Sequence, residues 1–260
     1  MIGSMRVATW NILSGRAPGE DVVDEHRFAD AVAALDADLL GLQEVDRNQP
    51  RSQHADLTAL AAEAMGAREH RFVAALSGTP GATWAAATGE DHPGTAAYGI
   101  AFLSRHPVTD WHVVRLPPAP VRVPYRFHGR RLPTWVHDEP RVAVAARVDA
   151  PGGPVTVVTT HLSFLPVWND HQLRLLVRAL AAVPDPLVLL GDLNMPPPRA
   201  HRTTGLRPLA GGATFPADRP AQQIDHVLAR GALAATGGGP VELPVSDHHA
   251  LVAEVVRQPA

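Results

Sequence analysis

Several apolar runs in this chain end on carboxylate, amide or imidazole side chains, and that pattern limits what it can fold into. Trp10-Asn11-Ile12, Gln43-Glu44-Val45, Gly191-Asp192-Leu193-Asn194 and Ser246-Asp247-His248 all have this form. The run Leu187-Val188-Leu189-Leu190 is continuously apolar, as in a strand buried on both faces, and its end then opens on Asp192. A fold that buries such strands must bring their polar tips to a common edge or leave them unsatisfied.

Length and composition set the outer bounds. A chain of 260 residues with 45% hydrophobic content is expected to close as one domain, with a core spanning about residues 5–257. It has no cysteine, which excludes disulfide frameworks, thiolate zinc sites and cysteine nucleophiles. All 23 cationic residues are arginine, and the net charge of -3 is not that of a non-specific nucleic-acid binder. A local cationic stretch lies at residues 115–131, with Arg115, Arg122, Arg126, Arg130 and Arg131 among prolines, Tyr125, Phe127 and His128. It reads either as a solvated loop or as a patch facing an anionic substrate. The start lacks the pattern of a secretory signal, and no run approaches the roughly 18 apolar residues of a membrane helix. A cytoplasmic setting is the expectation.

Strand-like and helical segments alternate, as expected of an α/β protein. Strands are predicted at 6–12, 38–45, 71–76, 98–103, 111–116, 141–148, 155–160, 187–190, 223–228 and 250–256. Many of these spacings are too short for a crossover helix, so antiparallel neighbours are expected. The first helix, opened by Asp24 or Glu25, carries Phe28, Val32 and Leu35 on one face. A second spans 56–65 before Gly66, and a third spans about 169–182, ended by Pro184 and Pro186. Residues 77–95, 116–138 and 195–222 read as long functional loops.

Asp192 and Asn194 are two apart, so in an extended segment a carboxylate and an amide point to the same side, although Gly-Asp-x-Asn is also a good turn sequence. Asn11 and Glu44 repeat the arrangement. Hard oxygen donors without thiolates suit Mg²⁺ or Mn²⁺. His161 follows an apolar strand, Asp225 precedes His226, and Asp247 with His248 serves one site only if both lie in the turn that Pro244 and Ser246 initiate. His226 and His249 read as bystanders.

In this order, Asn11, Glu44, His161, Asp192, Asn194, Asp225, Asp247 and His248 resemble the endonuclease/exonuclease/phosphatase superfamily. Leu103-Ser104-Arg105 and Glu139-Pro140-Arg141 add to the likeness, which covers most of the chain. The resemblance implies a four-layer α-β-β-α sandwich with two central mixed, largely antiparallel sheets and the site at one edge. It implies metal ligation by Asn11, Glu44 and Asp247, with Mg²⁺ or Mn²⁺ bound. Asp192 would position or deprotonate water, Asn194 would hold a phosphate oxygen, Asp225 would orient His248, and His161 and Arg141 would stabilise charge on the phosphorus oxygens. The expected activity is hydrolysis of a phosphate ester, either a small molecule or a lipid headgroup. DNA endonuclease or exonuclease action is the alternative, so a nucleic-acid partner stays open; a non-catalytic binding module is a further alternative. The aromatics Tyr125, Phe127, Trp135, Phe164 and Trp168 read as packing groups or substrate contacts.

Overall fold

A computed structural model describes residues 4–80, 82–89, 92–126 and 132–258. The chain begins with β1 (Ser4–Asn11), α1 (Glu25–Leu35), β2 (Leu39–Arg47) and α2 (Leu57–Met65). Next come β3 (Glu69–Gly78), β4 (Trp84–Ala86), β5 (Ala97–Ser104) and β6 (Val108–Leu116). The middle of the chain forms β7 (Val123–Tyr125), β8 (Thr134–Val136), β9 (Arg141–Ala150), β10 (Gly153–His161) and α3 (Trp168–Ala179). It finishes with β11 (Leu187–Asp192), α4 (Pro197–Thr204), β12 (Arg207–Pro208), β13 (Asp225–Arg230), β14 (Leu233–Val241) and β15 (Ala250–Arg257).

Two mixed sheets pack face to face. One has the order β14-β15-β1-β2-β5-β3-β4 and the other β12-β13-β11-β10-β9-β6. β9 and β10, joined by a tight turn, pair antiparallel as their spacing predicts, whereas β5 and β6 are joined almost as closely but cross from the first sheet to the second and do not pair, because the turn at residues 105–107 passes between the layers. The parallel pairs β1–β2 and β10–β11 are those with α1 or α3 between them. Between the sheets lies an apolar layer that includes Val7, Leu39, Phe102, Val144, Val157 and Leu190. Trp10, Phe28, Val32, Leu35, Leu42 and Leu57 seal α1 and α2 onto the first sheet. Val158, Leu162, Leu173, Leu176 and Leu189 seal α3 onto the second. Burying each such side chain contributes about 1.5–3 kcal/mol. The expected four-layer architecture is therefore present.

Helix boundaries follow the capping chemistry. Asp24 accepts from the Arg27 N–H, and Asp56 accepts from the Thr58 and Ala59 N–H groups. Gly66 closes α2 at φ 67°. A buried polar bridge ties the sheets together near one edge: Thr9 Oγ1 donates to Gln43 Oε1 at 3.2 Å, and Gln43 Nε2 donates to Thr159 Oγ1 at 3.1 Å.

The three segments read as loops contain structure. Residues 77–95 hold β4, 116–138 hold the β7–β8 hairpin, and 195–222 hold α4 and β12. β14 was not foreseen because Gly237, Gly238, Gly239 and Pro240 spell a loop; its pairing with β15 overrides that preference. The predicted strand 223–228 is shifted to Asp225–Arg230.

Candidate active site

Strand register alone brings the predicted side chains to one edge. His161 ends β10 beside Asp192 at the end of parallel β11, and Asp192 lies opposite Asp225 at the start of antiparallel β13. Asn11 ends β1 next to Gln43 of β2. Glu44 is the extra residue of a bulge in β2, where the register with β5 slips between Gln43 and Val45, and it adopts φ 57°. A bulge re-aims one side chain out of the alternation, which gives Glu44 access to the cleft while β2 continues to Arg47. Asp247 and His248 lie in the turn before β15, with Ser246 at φ 74°.

Gly191 explains why the carboxylate of β11 sits where it does. Its φ is +147°, and a Cβ there would lie 2.1 Å from the Thr160 carbonyl oxygen, so the parallel strands approach too closely for any side chain.

The groups hold one another through a dense hydrogen-bond set. Asn11 Nδ2 donates to Glu44 Oε1 at 3.1 Å and to Asp192 Oδ2 at 3.2 Å, while its Oδ1 accepts from the Leu13 N–H. As placed, Asn11 turns its amide nitrogen to both carboxylates and acts as a clamp between them. Asn194 stands in a left-handed turn at φ 51°, and its N–H reaches back to Asp192 Oδ1 at 2.9 Å. The turn and site readings of Gly-Asp-x-Asn are thus both realised, but by an Asx-type turn and not by an extended pair. The Asn194 amide donates to the Leu162 carbonyl at 3.0 Å and lies 3.3 Å from His161 Nε2.

The two histidines are in opposite electrostatic states. Both ring nitrogens of His161 face donors, Nδ1 the Arg141 guanidinium at 3.2 Å and Nε2 the Asn194 amide nitrogen, and Nε2 also lies 3.5 Å from Asp192 Oδ2. Burial, followed by the charge of Arg141, pulls His161 well below the usual histidine range and keeps it neutral. His248 Nδ1 faces Asp225 Oδ2 at 2.9 Å, and Nε2 lies 3.9 Å from Asp192 Oδ2. Burial opposes its charging, but the carboxylates of Asp225, Asp192 and Asp247 outweigh it and push His248 up to about 10. Burial, then the charge of Asp225, raises Asp192; burial also raises Glu44.

The structure adds positioning residues that the sequence did not single out. Thr214 Oγ1 donates to Asp225 Oδ2 at 2.6 Å, and Phe215 packs on the His248 ring at 4.7 Å between centroids. Ser246, read from the sequence only as a turn former, donates to the Asn11 carbonyl and accepts from the His248 N–H, joining the first and last site strands. Asn169 Nδ2 holds the Asn194 carbonyl at 2.7 Å. A threonine or serine in a loop has no spacing signal, so only the fold reveals these. His226 and His249 bond to the Met195 and Ala217 carbonyls, in keeping with their reading as bystanders.

The donor chemistry suits a hard divalent cation. Among the described residues, the carboxylates of Glu44, Asp192, Asp225 and Asp247 lie near the cationic side chains of Arg141 and His248. Asp225 Oδ1 is buried without a hydrogen-bond partner. Asp192, Asp225 and His248 also offer ligand atoms within 4.8 Å of one another. A protonated His248 cannot ligate, however, and Asp225 Oδ2 is engaged by both His248 and Thr214.

Among the described residues of the cationic stretch, Arg115, Arg122 and Arg126 have different surroundings. Arg115 lines a separate cavity of about 710 Å³ at the free edge of β3, with Arg47, His70, Arg71 and Phe72. Arg122 bonds to His137, Arg126 is exposed, and Phe127, His128, Arg130 and Arg131 lie outside the described residues. Trp168 donates to the Pro117 carbonyl and packs on His171, a structural use of that aromatic, whereas Trp135 is exposed.

Comparison with known proteins agrees with this geometry. The Endonuclease/Exonuclease/phosphatase family pattern matches residues 8–248. An endonuclease/exonuclease/phosphatase from Beutenbergia cavernae DSM 12333 is 26% identical, with a TM-score of 0.68 over 99% of this chain and 72% of that one. A mannosyl-6-phosphatase from Bacteroides thetaiotaomicron VPI-5482 superposes with a TM-score of 0.66 at 16% identity, over 97% of this chain and 99% of that one. Sphingomyelinase C from Streptomyces griseocarneus gives 0.62 at 18% identity, over 96% and 99%. No curated protein sequence matches the chain. Two packed sheets with this edge define a phosphoesterase fold. The chain belongs to the endonuclease/exonuclease/phosphatase family.

Proposed function

We propose that the chain is a divalent-metal-dependent hydrolase of phosphate esters, acting on a small-molecule or lipid-like ester as one closed domain over residues 1–260. The observation that carries this reading is the contact of two buried neighbours: Asp192, raised by burial, 3.9 Å from His248, which Asp225 holds protonated. A carboxylate raised toward neutral pH can accept a proton while the protonated imidazole beside it donates one. Glu44 and Asp247, with Asn11 as clamp, would hold Mg²⁺ or Mn²⁺. Bound there, the cation would neutralise the phosphate and stabilise the leaving oxyanion.

This chain's residues then divide the work. Asp192 takes the proton of the attacking water as the new P–O bond forms and the ester P–O bond breaks, the departing oxygen taking its proton from solvent. His248 donates from Nε2 to a non-bridging oxygen, its other nitrogen fixed by Asp225. Arg141 and His161 meet charge on the phosphorus oxygens, and Asn194 holds one of them. General acid-base help of this kind is worth roughly 10²–10⁴-fold.

The test is turnover of bis-(p-nitrophenyl) phosphate with Mg²⁺ or Mn²⁺. Activity lost in both Glu44→Ala and Asp192→Ala, with unchanged circular dichroism, supports the reading. No turnover of any phosphate ester by the wild type would favour a non-catalytic module. Plasmid nicking faster than small-ester hydrolysis would favour the nuclease alternative.

A further inference from the structure

Beyond Glu44 along the first sheet, β5 and β4 carry side chains that the reaction scheme does not use. Tyr98 pairs with Asp46 of β2 and Leu76 of β3, and Leu76 pairs with Ala86 of β4. Side chains alternate along a strand, so Trp84, two residues from Ala86, shares the face of Tyr98. That face is the inner one, because Ile100 and Phe102, of the same parity as Tyr98, lie in the layer between the sheets. A rise of roughly 3.3 Å per residue puts Asp46 and the facing Tyr98 about 7 Å beyond Glu44.

The two rings make a wall and not a slot. Their centroids are 5.8 Å apart with planes tilted by 45°, which leaves no room for a flat group between them. A ligand must lie on one exposed face, and both side chains are half-buried. Glu139 stands at the edge of the wall, accepting from Trp84 Nε1 at 3.1 Å and lying 3.7 Å from Arg141. A carboxylate has about four acceptor sites, so the Glu139 oxygens keep capacity beyond these two contacts. Arg51 is held by Asp46 through two nitrogens, at 2.8 and 2.7 Å, and lies 5.4 Å from the Tyr98 ring.

We propose that Trp84, Tyr98 and Glu139 form the subsite for the organic half of the ester, and that this half is a hydroxylated sugar ring. The apolar C–H face of such a ring covers one aromatic face, and its hydroxyls donate to the Glu139 carboxylate. Arg141 links the subsite to the reaction centre, since it touches both Glu139 and His161. The carboxylate at the rim disfavours a polyanion at this end, which sets the sugar phosphate apart from a nucleic acid strand. This inference rests on the hydrolase reading above.

The test pairs two readouts. In phosphate-release kinetics with Mn²⁺, Trp84→Ala should raise KM for glucose 6-phosphate about tenfold, the loss of one ring contact, with kcat nearly unchanged. KM for glycerol 3-phosphate, which has no ring, should stay within about twofold, and Trp84→Phe should restore most of the hexose affinity. Equal losses on both esters, or none on either, would overturn the proposal. Tryptophan fluorescence titrated with glucose 6-phosphate without metal separates it from the hydrolase reading. A saturable change present in the wild type and absent in Trp84→Ala supports the subsite even if no ester is turned over. No saturable change with the hexose phosphate, or a change only with adenosine 5′-monophosphate, overturns it.

Discussion

The reaction centre and the cavity at the β3 edge both concentrate charge, but they do so in opposite ways. The cavity encloses about 710 Å³, and its Arg71 and Arg115 are exposed chains resting on Trp111 and on the Ala74 carbonyl. In the candidate active site Asp192, Asp225, His161 and His248 are all buried. Exposed charges interact weakly and are screened by solvent, whereas buried charges perturb one another strongly. Volume marks where something fits; converging desolvated charge marks the candidate active site.

The largest predicted effect separates the two regions by activity. Asp192→Asn should lower kcat on bis-(p-nitrophenyl) phosphate by roughly 10³-fold or more, while Arg71→Ala with Arg115→Ala changes it by less than about twofold. A comparable loss in the arginine variant would erase the distinction. Asp225→Asn keeps the shape but removes the charge that holds the His248 proton, and kcat should fall about 10²-fold. A variant retaining full activity would show that His248 needs no carboxylate.

Stability gives a finer contrast. Gly191→Ala forces a Cβ against the Thr160 carbonyl at a backbone conformation that L side chains avoid. It should cost about 3 kcal/mol or more in urea unfolding. Gly66→Ala, at an open helix cap with φ 67°, should cost only about 1 kcal/mol. A pH-dependent contrast comes from linkage at His248. Its folded value of about 10 lies above its ordinary 6.5, so its contribution is complete below about 6.5 and is lost as pH rises through 10. The urea midpoint should decline between pH 8 and 10.5 in the wild type and decline less in Asp225→Asn. Parallel curves would contradict the pairing.

The layers and most strands were legible because a two-residue alternation or an unbroken apolar run leaves little choice of structure, as in Leu187-Val188-Leu189-Leu190. β14 was illegible because its stability comes from pairing with β15 and not from Gly237 to Gly239. The site side chains were legible because each interrupts an apolar segment with a group that is costly to bury unpaired. Their supports were not. Thr214, Ser246 and Asn169 act through contacts spanning up to 235 residues of sequence, and no local pattern encodes such a contact. The clamp geometry of Asn11 and the bulge at Glu44 likewise depend on a neighbouring strand.

The account turns on the strand ends of both sheets building one divalent-cation site, with Glu44 at its centre. Anomalous diffraction from crystals soaked in Mn²⁺ tests this most directly. The account predicts a manganese peak with a Glu44 oxygen about 2.1 Å away and Asp247 facing it. A peak enclosed by Asp192, Asp225 and His248 with no contact to Glu44, or manganese bound only outside the cleft, would contradict it.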